Sequence, residues 1–171
     1  MDENTKVSIK NLTNHAVGFG CVNYPQHFNF QPGQVVPIKW EYVSDAAFDY
    51  GFRYMIENSY LKIMPNNQNY AEIMEELQFT HLMEKIEKSL SYEDIKAIFR
   101  IKPLSTQYSK IKKILKEGSE TEKKNVAMAA IELKIKDYIV NTAIKEATNI
   151  DVIKALELQE TPKVEEKSIK E

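Results

Sequence analysis

Hydrophobic and polar residues alternate in several short stretches of the first 65 residues. A period of two is typical of β-strands that bury one face. In chain order the strand-like stretches are KVSIKNL at 6–12, VGFGC at 17–21, FNF at 28–30, VVPI at 35–38 and YLKIM at 60–64, of which VVPI is apolar throughout. They predict a small antiparallel sheet with short connections.

Proline and glycine define the turn before the fourth stretch. The sequence QPGQ at 31–34 has proline in its second position and glycine in its third, which is the preference of a type II turn. Pro37 cannot donate a hydrogen bond to a neighbouring strand, so the strand that contains it is expected at a sheet edge.

Residues 39–60 show a helical spacing instead. Trp40, Val43, Ala47 and Tyr50 recur every three or four positions, which predicts one helix that Gly51 interrupts or caps. A module this small needs large side chains for its core. We therefore expect one aromatic cluster, made of Phe19, Phe28, Phe30, Trp40 and Phe48.

The pattern changes near residue 65, beyond which lysine, glutamate, isoleucine, leucine and alanine dominate. These residues favour helix. Ser91 with Asp94, and Ser119 with Glu122, have the spacing of capping boxes at helix starts. Asn149 suits the left-handed position that ends a helix.

The predicted fold class is therefore α+β. It consists of a small N-terminal antiparallel β-module with one helix, followed by a C-terminal α-helical bundle. The expected boundaries are a β-rich module at 1–65, a helical domain at 66–158, and a charged flexible tail at 159–171.

The totals for the chain change this picture little. Its 171 residues are 43% hydrophobic and 28% charged, with a net charge of −2, so bulk charge does not indicate a polyanion binder. No apolar run reaches the roughly 18 residues of a membrane span, and MDENTKVSIK lacks the pattern of a signal peptide. Because no apolar run is long enough, we expect no membrane partner. The single cysteine cannot form an internal disulfide, which is typical of a protein made in the reducing cytoplasm.

No motif in the chain indicates catalysis. The three histidines lack the spacing of zinc ligands, and the GxG of VGFGC has no third glycine and no βαβ unit after it. Cys21 has no evident histidine base, so a buried cysteine is the favoured interpretation. We therefore expect no catalytic residue, no cofactor and no metal site.

One charge feature is unusual. Between Ile95 and Lys116 there are seven basic residues and no acidic one. A solvated helix face is the favoured interpretation, and contact with a polyanion or an acidic partner is the alternative. The candidate partner contacts lie on the predicted helix after Pro103 and on the predicted edge strand. They are Lys110, Lys112, Lys113, Lys116, Val35, Val36 and Ile38.

Two parts of the chain resemble a known family. VSIKNLTNHAVGF, FNFQPGQVVPIKWEY and YLKI resemble the N-terminal module of small capsid- or head-associated virion proteins of tailed bacteriophages. AIELKIKDYIVNTAIKEATNIDVIKAL resembles their C-terminal helical segment, with Asn149 where glycine is expected. The resemblance covers about two thirds of the chain, and its motifs are structural.

This resemblance implies a non-enzymatic structural component of a phage virion that docks on other capsid or head proteins. It also implies a protein made in the host cytoplasm that ends in the virion. The alternative is a nucleic-acid-binding or regulatory protein that uses the basic helices at 95–116. The resemblance carries over no active-site residue.

Overall fold

The computed structural model describes residues 1 and 4–160. Within them five strands form two antiparallel sheets, one of order β4-β1-β5 and one hairpin of β2 and β3. The strands are β1 (Lys6–Asn11), β2 (Val17–Gly20), β3 (His27–Phe30), β4 (Val35–Lys39) and β5 (Leu61–Ile63). The predicted antiparallel β-module is confirmed.

The edge position of β4 follows from its proline, as predicted. In the register of β1 with β4, Val7 lies opposite Ile38 and Ile9 opposite Val36. Because strand side chains alternate between faces, Ile38 faces the core and is only 2% exposed. Ile38 was therefore wrongly predicted as a partner contact, and Val36 packs partly against the same core. Val35 faces outward and is 45% exposed.

Two glycines occupy positions that a larger residue would not fit, one because of its positive φ and one because a neighbouring strand lies close. Gly33 has φ +71° and sits in the turn closed by Gln34 N–H to Gln31 O at 3.0 Å, which fits the predicted type II turn. In the hairpin, a Cβ on Gly18 would lie 2.6 Å from Phe28 O. Glycine at this position lets β3 approach closely.

The single helix predicted over 39–60 is two helices, α1 (Trp40–Ala46) and α2 (Tyr50–Glu57). Asp49 causes the break, because it takes an extended conformation and its side chain accepts a hydrogen bond from Phe52 N at 3.0 Å. This is the N-cap arrangement that starts a new helix. The hydrophobic spacing continues across the break and so concealed it.

The break also changes the aromatic core. The Phe19 ring lies 5.4 Å from Phe28, 5.8 Å from Phe30 and 4.6 Å from Phe52, between ring centroids. Trp40 packs partly against this core, as expected. Phe48 does not, because it lies in the segment between the helices and is 83% exposed. Phe52 occupies the place in the core that was predicted for Phe48.

Helices follow from residue 70 on, which confirms the α+β class. The described part contains, after α2, a 3₁₀ turn at Thr80–Leu82 and the helices α3 (Tyr70–Glu76), α4 (Met83–Lys88), α5 (Tyr92–Ile98), α6 (Leu104–Glu117), α7 (Glu120–Glu132), α8 (Tyr138–Thr148) and α9 (Val152–Glu160).

Two predicted helix starts and one predicted helix end are confirmed. Both capping boxes are present, and Asn149 ends α8 with φ 59°. The last helix continues to Glu160, so the tail does not begin at 159 as predicted. The rest of that predicted tail, 161–171, lies outside the described residues.

The buried side chains form two clusters. The boundary between them does not coincide with the change in composition near residue 65. The first cluster extends from Val7 on β1 to Ile86 on α4, and it includes Ile73 and Met74 of α3. The second begins at Tyr92. The change at residue 65 therefore marks the end of the strands, since β5 ends at Ile63, whereas the cores change between residues 86 and 92.

A few hydrogen bonds join the two halves of the chain, which are the sheet-containing half up to α4 and the helical half from α5 on. The Leu12 carbonyl accepts from Tyr92 N–H at 2.9 Å and from Asn125 Nδ2 at 3.0 Å. Thr121 Oγ1 donates to Asn58 O at 2.6 Å. Leu12 is 1% exposed and Asn125 is 3% exposed. Buried polar groups need such partners, so these bonds fix α5 and α7 against the sheet.

The revised aromatic core gives a direct test. Phe52→Ala removes a fully buried ring, and we expect it to lower the free energy of unfolding by about 3–5 kcal/mol. Phe48→Ala is the matched control and should change it by less than about 0.5 kcal/mol. Urea unfolding followed by circular dichroism measures both. Equal losses in the two variants would contradict the exposed position of Phe48.

The junction gives a second test. Asn125→Ala removes one of the two donors to the Leu12 carbonyl, and we expect a loss of about 1–3 kcal/mol in the free energy of unfolding. Lys124→Ala, at the exposed neighbouring position, should stay within about 0.5 kcal/mol of the unchanged chain. An Asn125→Ala variant as stable as Lys124→Ala would show that this hydrogen bond does not hold the halves together.

Candidate functional site

A groove of about 800 Å³ opens between α4, α5, α6 and the start of α7. Its apolar lining residues, Leu90, Ile98 and Ile114, belong to the second hydrophobic cluster. Its lining combines lysines, aliphatic side chains and three carboxylates. The lining residues are Lys85, Lys88, Ser89, Leu90, Asp94, Ile98, Lys110, Lys113, Ile114, Glu117, Gly118, Ser119 and Glu122.

The helical period of α6 places two of the predicted contact residues in this groove. Ile111, Ile114 and Leu115 are buried on the inner face of α6. Lys110 and Lys113, three positions apart and therefore neighbours on the helix surface, line the groove. Lys112 and Lys116 are exposed on α6 and do not line it. Val35, Val36 and Ile38 do not line it either.

The lysines on the two sides of the groove differ in their partners. On α4, Lys85 Nζ donates to the Glu57 carbonyl and Lys88 pairs with Glu84. On α6, no described carboxylate lies within 4.0 Å of Lys110 or Lys113. The positive charge on the α6 side is thus unneutralised at close range by this part of the chain.

The basic run is not uniform in this respect. Lys96, which belongs to the same predicted run, pairs with Glu132 at 2.8 Å and with Glu93 at 3.4 Å. Lys96 therefore stabilises the fold. Arg100, Lys102 and the lysines of α6 have no such pair among the described residues.

Glu122 is a buried carboxylate in the lining of the groove. Its Oε2 accepts from Ser119 N at 2.8 Å and Ser119 Oγ at 2.9 Å, and its Oε1 accepts from Leu90 N at 2.9 Å. The same side chain closes the capping box of α7 and holds the segment before α5. Its hydrogen-bonding capacity is used within the fold.

Asp94 closes the capping box of α5 by accepting from Ser91 N at 2.9 Å. Partial burial acts to raise the pKa of Asp94, but the Ser91 hydrogen bonds and the charges of Lys10 and Lys62 outweigh it. The net pKa of Asp94 lies below its ordinary value, so the groove contains an ionised carboxylate at neutral pH.

Lys62 fixes the groove wall from the sheet side. Its Nζ donates to Glu87 O at 2.9 Å and to Ser89 O at 3.1 Å. Burial lowers the pKa of Lys62, and the charge of Lys10 lowers it further, while Asp94 opposes this. These contacts hold the 87–91 segment that carries Leu90 into the groove.

Sequence reasoning located Lys110 and Lys113 but missed the rest of the groove. Both capping boxes were recognised as helix starts, yet their convergence on one surface depends on long-range packing. Leu90 and Ile98 gave no signal beyond ordinary hydrophobic spacing. The two serine–carboxylate pairs were the only local sequence pattern that involved other residues of the groove.

Metal-ligating and nucleophilic side chains elsewhere among the described residues were compared for a second site. In the part of the chain that the structure describes, no group of three His, Cys, Asp or Glu side chains is placed to hold a metal ion. Burial raises the pKa of Cys21, and Asp45 raises it further, which disfavours the thiolate. Among the described helices, none has both the length and the apolar character needed to cross a bilayer.

Comparisons with protein-family models, curated proteins and solved structures gave no match. The resemblance to virion proteins therefore stays a prediction.

Asp94 predicts a pH dependence of stability. Because its pKa is lower in the folded chain, it contributes stability that is present above its unfolded value of about 3.9 and is lost as pH falls through the folded pKa. Asp94→Asn should be less stable than the unchanged chain at pH 7, and this difference should shrink on acidification below about pH 4. Urea unfolding from pH 7 to pH 3 measures it.

Ser91→Ala is the companion variant, since it removes the hydroxyl donor to the same carboxylate. It should reduce stability at pH 7 and weaken the acid dependence in the same direction. A stability difference between Asp94→Asn and the unchanged chain that stays constant across this pH range would contradict the assignment to Asp94.

Proposed function

We propose that this protein is a non-enzymatic docking protein, and that it acts as a capsid- or head-associated structural component of a phage virion. One observation carries the docking role. The groove combines an aliphatic floor with lysines on α6 that lack carboxylate partners among the described residues. The resemblance of the two sequence stretches supplies the virion setting.

The composition of the groove favours a protein partner. Protein interfaces combine an apolar centre with a polar or charged rim. Leu90 and Ile98, with the small exposed part of Ile114, would form such a centre, and Lys110 and Lys113 the rim. The partner's chemistry is then an apolar surface flanked by acidic groups.

Nucleic-acid binding is the second candidate, and the unpaired lysines of α6 favour it. Lysine contacts with phosphates give affinity without sequence preference. Three carboxylates in the groove, Asp94, Glu117 and Glu122, oppose a polyanion there. No aromatic or arginine side chain lines the groove to stack on bases.

The test of the virion role uses particles purified from infected cells. The unchanged chain should be found by mass spectrometry in mature particles or assembly intermediates. Lys110→Glu with Lys113→Glu should reduce incorporation about tenfold, since reversing close interfacial charges costs more than 1.4 kcal/mol. Lys112→Glu with Lys116→Glu changes the same charge on the same helix away from the groove, and should be incorporated normally.

Absence of the unchanged chain from both particles and intermediates, despite expression during infection, would refute the virion role. Retention of the purified chain on DNA, lost steeply between roughly 50 and 200 mM salt, would instead support the second candidate. Equal loss of incorporation in the two charge-reversed variants would show that general charge, and not the groove, controls docking.

A further inference from the structure

We propose that the groove binds an acidic amphipathic α-helix of its partner protein. This inference rests on the proposed docking function and specifies the partner's chemistry. The partner's apolar face would lie on the half-buried Leu90 and Ile98 and would reach only the small exposed part of Ile114. Its carboxylates would face Lys110 and Lys113 of α6.

The walls of the groove exclude an added β-strand. Peptides that extend a sheet bind to the backbone of an exposed strand. Every lining residue lies on a helix or on the segments at 89–90 and 118–119, and none lies on a strand. Helical backbone has its hydrogen bonds satisfied internally, so the groove offers no ladder to extend.

The lining also disfavours two other common modes of peptide recognition. Proline-rich segments dock in grooves lined by aromatic rings, and phosphorylated motifs dock on arginine clusters. This groove contains neither an aromatic ring nor an arginine. An aliphatic floor is the feature that receives the apolar face of a helix.

The groove is too large for one anchoring side chain. Its volume of about 800 Å³ lies in the range of roughly 300–1,000 Å³ that is typical of clefts holding whole small-molecule ligands. Several side chains are therefore needed to fill it. A helix supplies them from one face at positions i, i+3, i+4 and i+7.

Charge decides the orientation of the helix. Lys85 and Lys88 on the α4 side already have partners within the fold. Lys110 and Lys113 on the α6 side have no described carboxylate within 4.0 Å. The acidic face of the partner helix is therefore expected to turn toward α6.

The groove's own carboxylates restrict where the acidic groups of the partner helix can lie. Asp94 and Glu122 accept hydrogen bonds inside their capping boxes. Glu117 lies four positions after Lys113, near the C-terminal end of α6. Partner carboxylates should thus lie beside Lys110 and Lys113 and avoid the end of the groove at Glu117.

The experiment uses the full chain and a synthetic probe. The probe is a fluorescein-labelled 18-residue peptide of leucines at helical spacing with glutamates along one flank. Fluorescence anisotropy should show saturable binding that weakens with salt. Lys110→Glu with Lys113→Glu should bind about tenfold more weakly, whereas Lys112→Glu with Lys116→Glu should stay within about twofold.

Matched probes separate the two parts of the interaction. A peptide with lysine in place of every glutamate tests charge, and one with serine in place of every leucine tests the apolar face. Both should bind at least about tenfold more weakly than the acidic probe. Thermal unfolding of each protein variant checks its folding, and Lys110→Ala with Lys113→Ala repeats the test without introducing acidic groups beside Glu117.

Absence of saturable binding of the acidic probe by the folded, unchanged chain would overturn the inference. So would equal binding of the acidic and basic probes, or binding of a DNA oligonucleotide in the groove that is lost in Lys110→Ala with Lys113→Ala. Particle incorporation is measured independently. Incorporation without probe binding would refute only the helix mode, and probe binding without incorporation would refute only the virion role.

Discussion

The arrangement of the two halves depends on one buried carbonyl oxygen at the end of β1. Leu12 O accepts both the Tyr92 backbone N–H and the Asn125 side-chain amide, at 2.9 and 3.0 Å. A carbonyl has two acceptor lone pairs, and here they receive donors from the start of α5 and from the middle of α7. Since an unsatisfied buried polar group is costly, this carbonyl fixes the helical half against the sheet.

The groove is a consequence of that constraint. Once α5 and α7 are held at the sheet, their N-terminal ends lie beside one another, and Glu122 joins them by accepting from Leu90 N. Lys62 secures the same segment through the Glu87 and Ser89 carbonyls. The polar groups of Glu122 and Lys62 are thereby used in holding the structure, while the side chains of Lys110 and Lys113 on α6 form no such bonds among the described residues.

Local patterns predicted the parts of this fold whose causes are local. The edge strand follows from Pro37, the turn from Gly33, and the helix end from Asn149. Phe48 was misplaced because the Asp49 cap interrupts a hydrophobic spacing that continues through it. Ile38 was misplaced because a strand at a sheet edge still buries every second side chain.

The groove itself could not be predicted, because it depends on contacts across long sequence separations. Leu90 and Glu122 are 32 positions apart, and Leu12 and Asn125 are 113 apart. Periodicity specifies which face of an element is apolar, but it does not specify which elements meet. Only Lys110 and Lys113 were located beforehand, since a charge run is visible in the sequence without knowledge of packing.

Repulsion among the lysines of α6 is also unfavourable for the helix that carries them, although the helix dipole favours Lys116 in its last turn. Like charges three or four positions apart destabilise a helix by roughly 0.2–0.5 kcal/mol per pair. Lys110 with Lys113, Lys112 with Lys116, and Lys113 with Lys116 all have such spacings. Within the described chain no carboxylate within 4.0 Å offsets this repulsion. Residues that break a local rule of stability without compensation are expected at functional surfaces. An acidic partner helix in the groove would supply the missing compensation for Lys110 and Lys113.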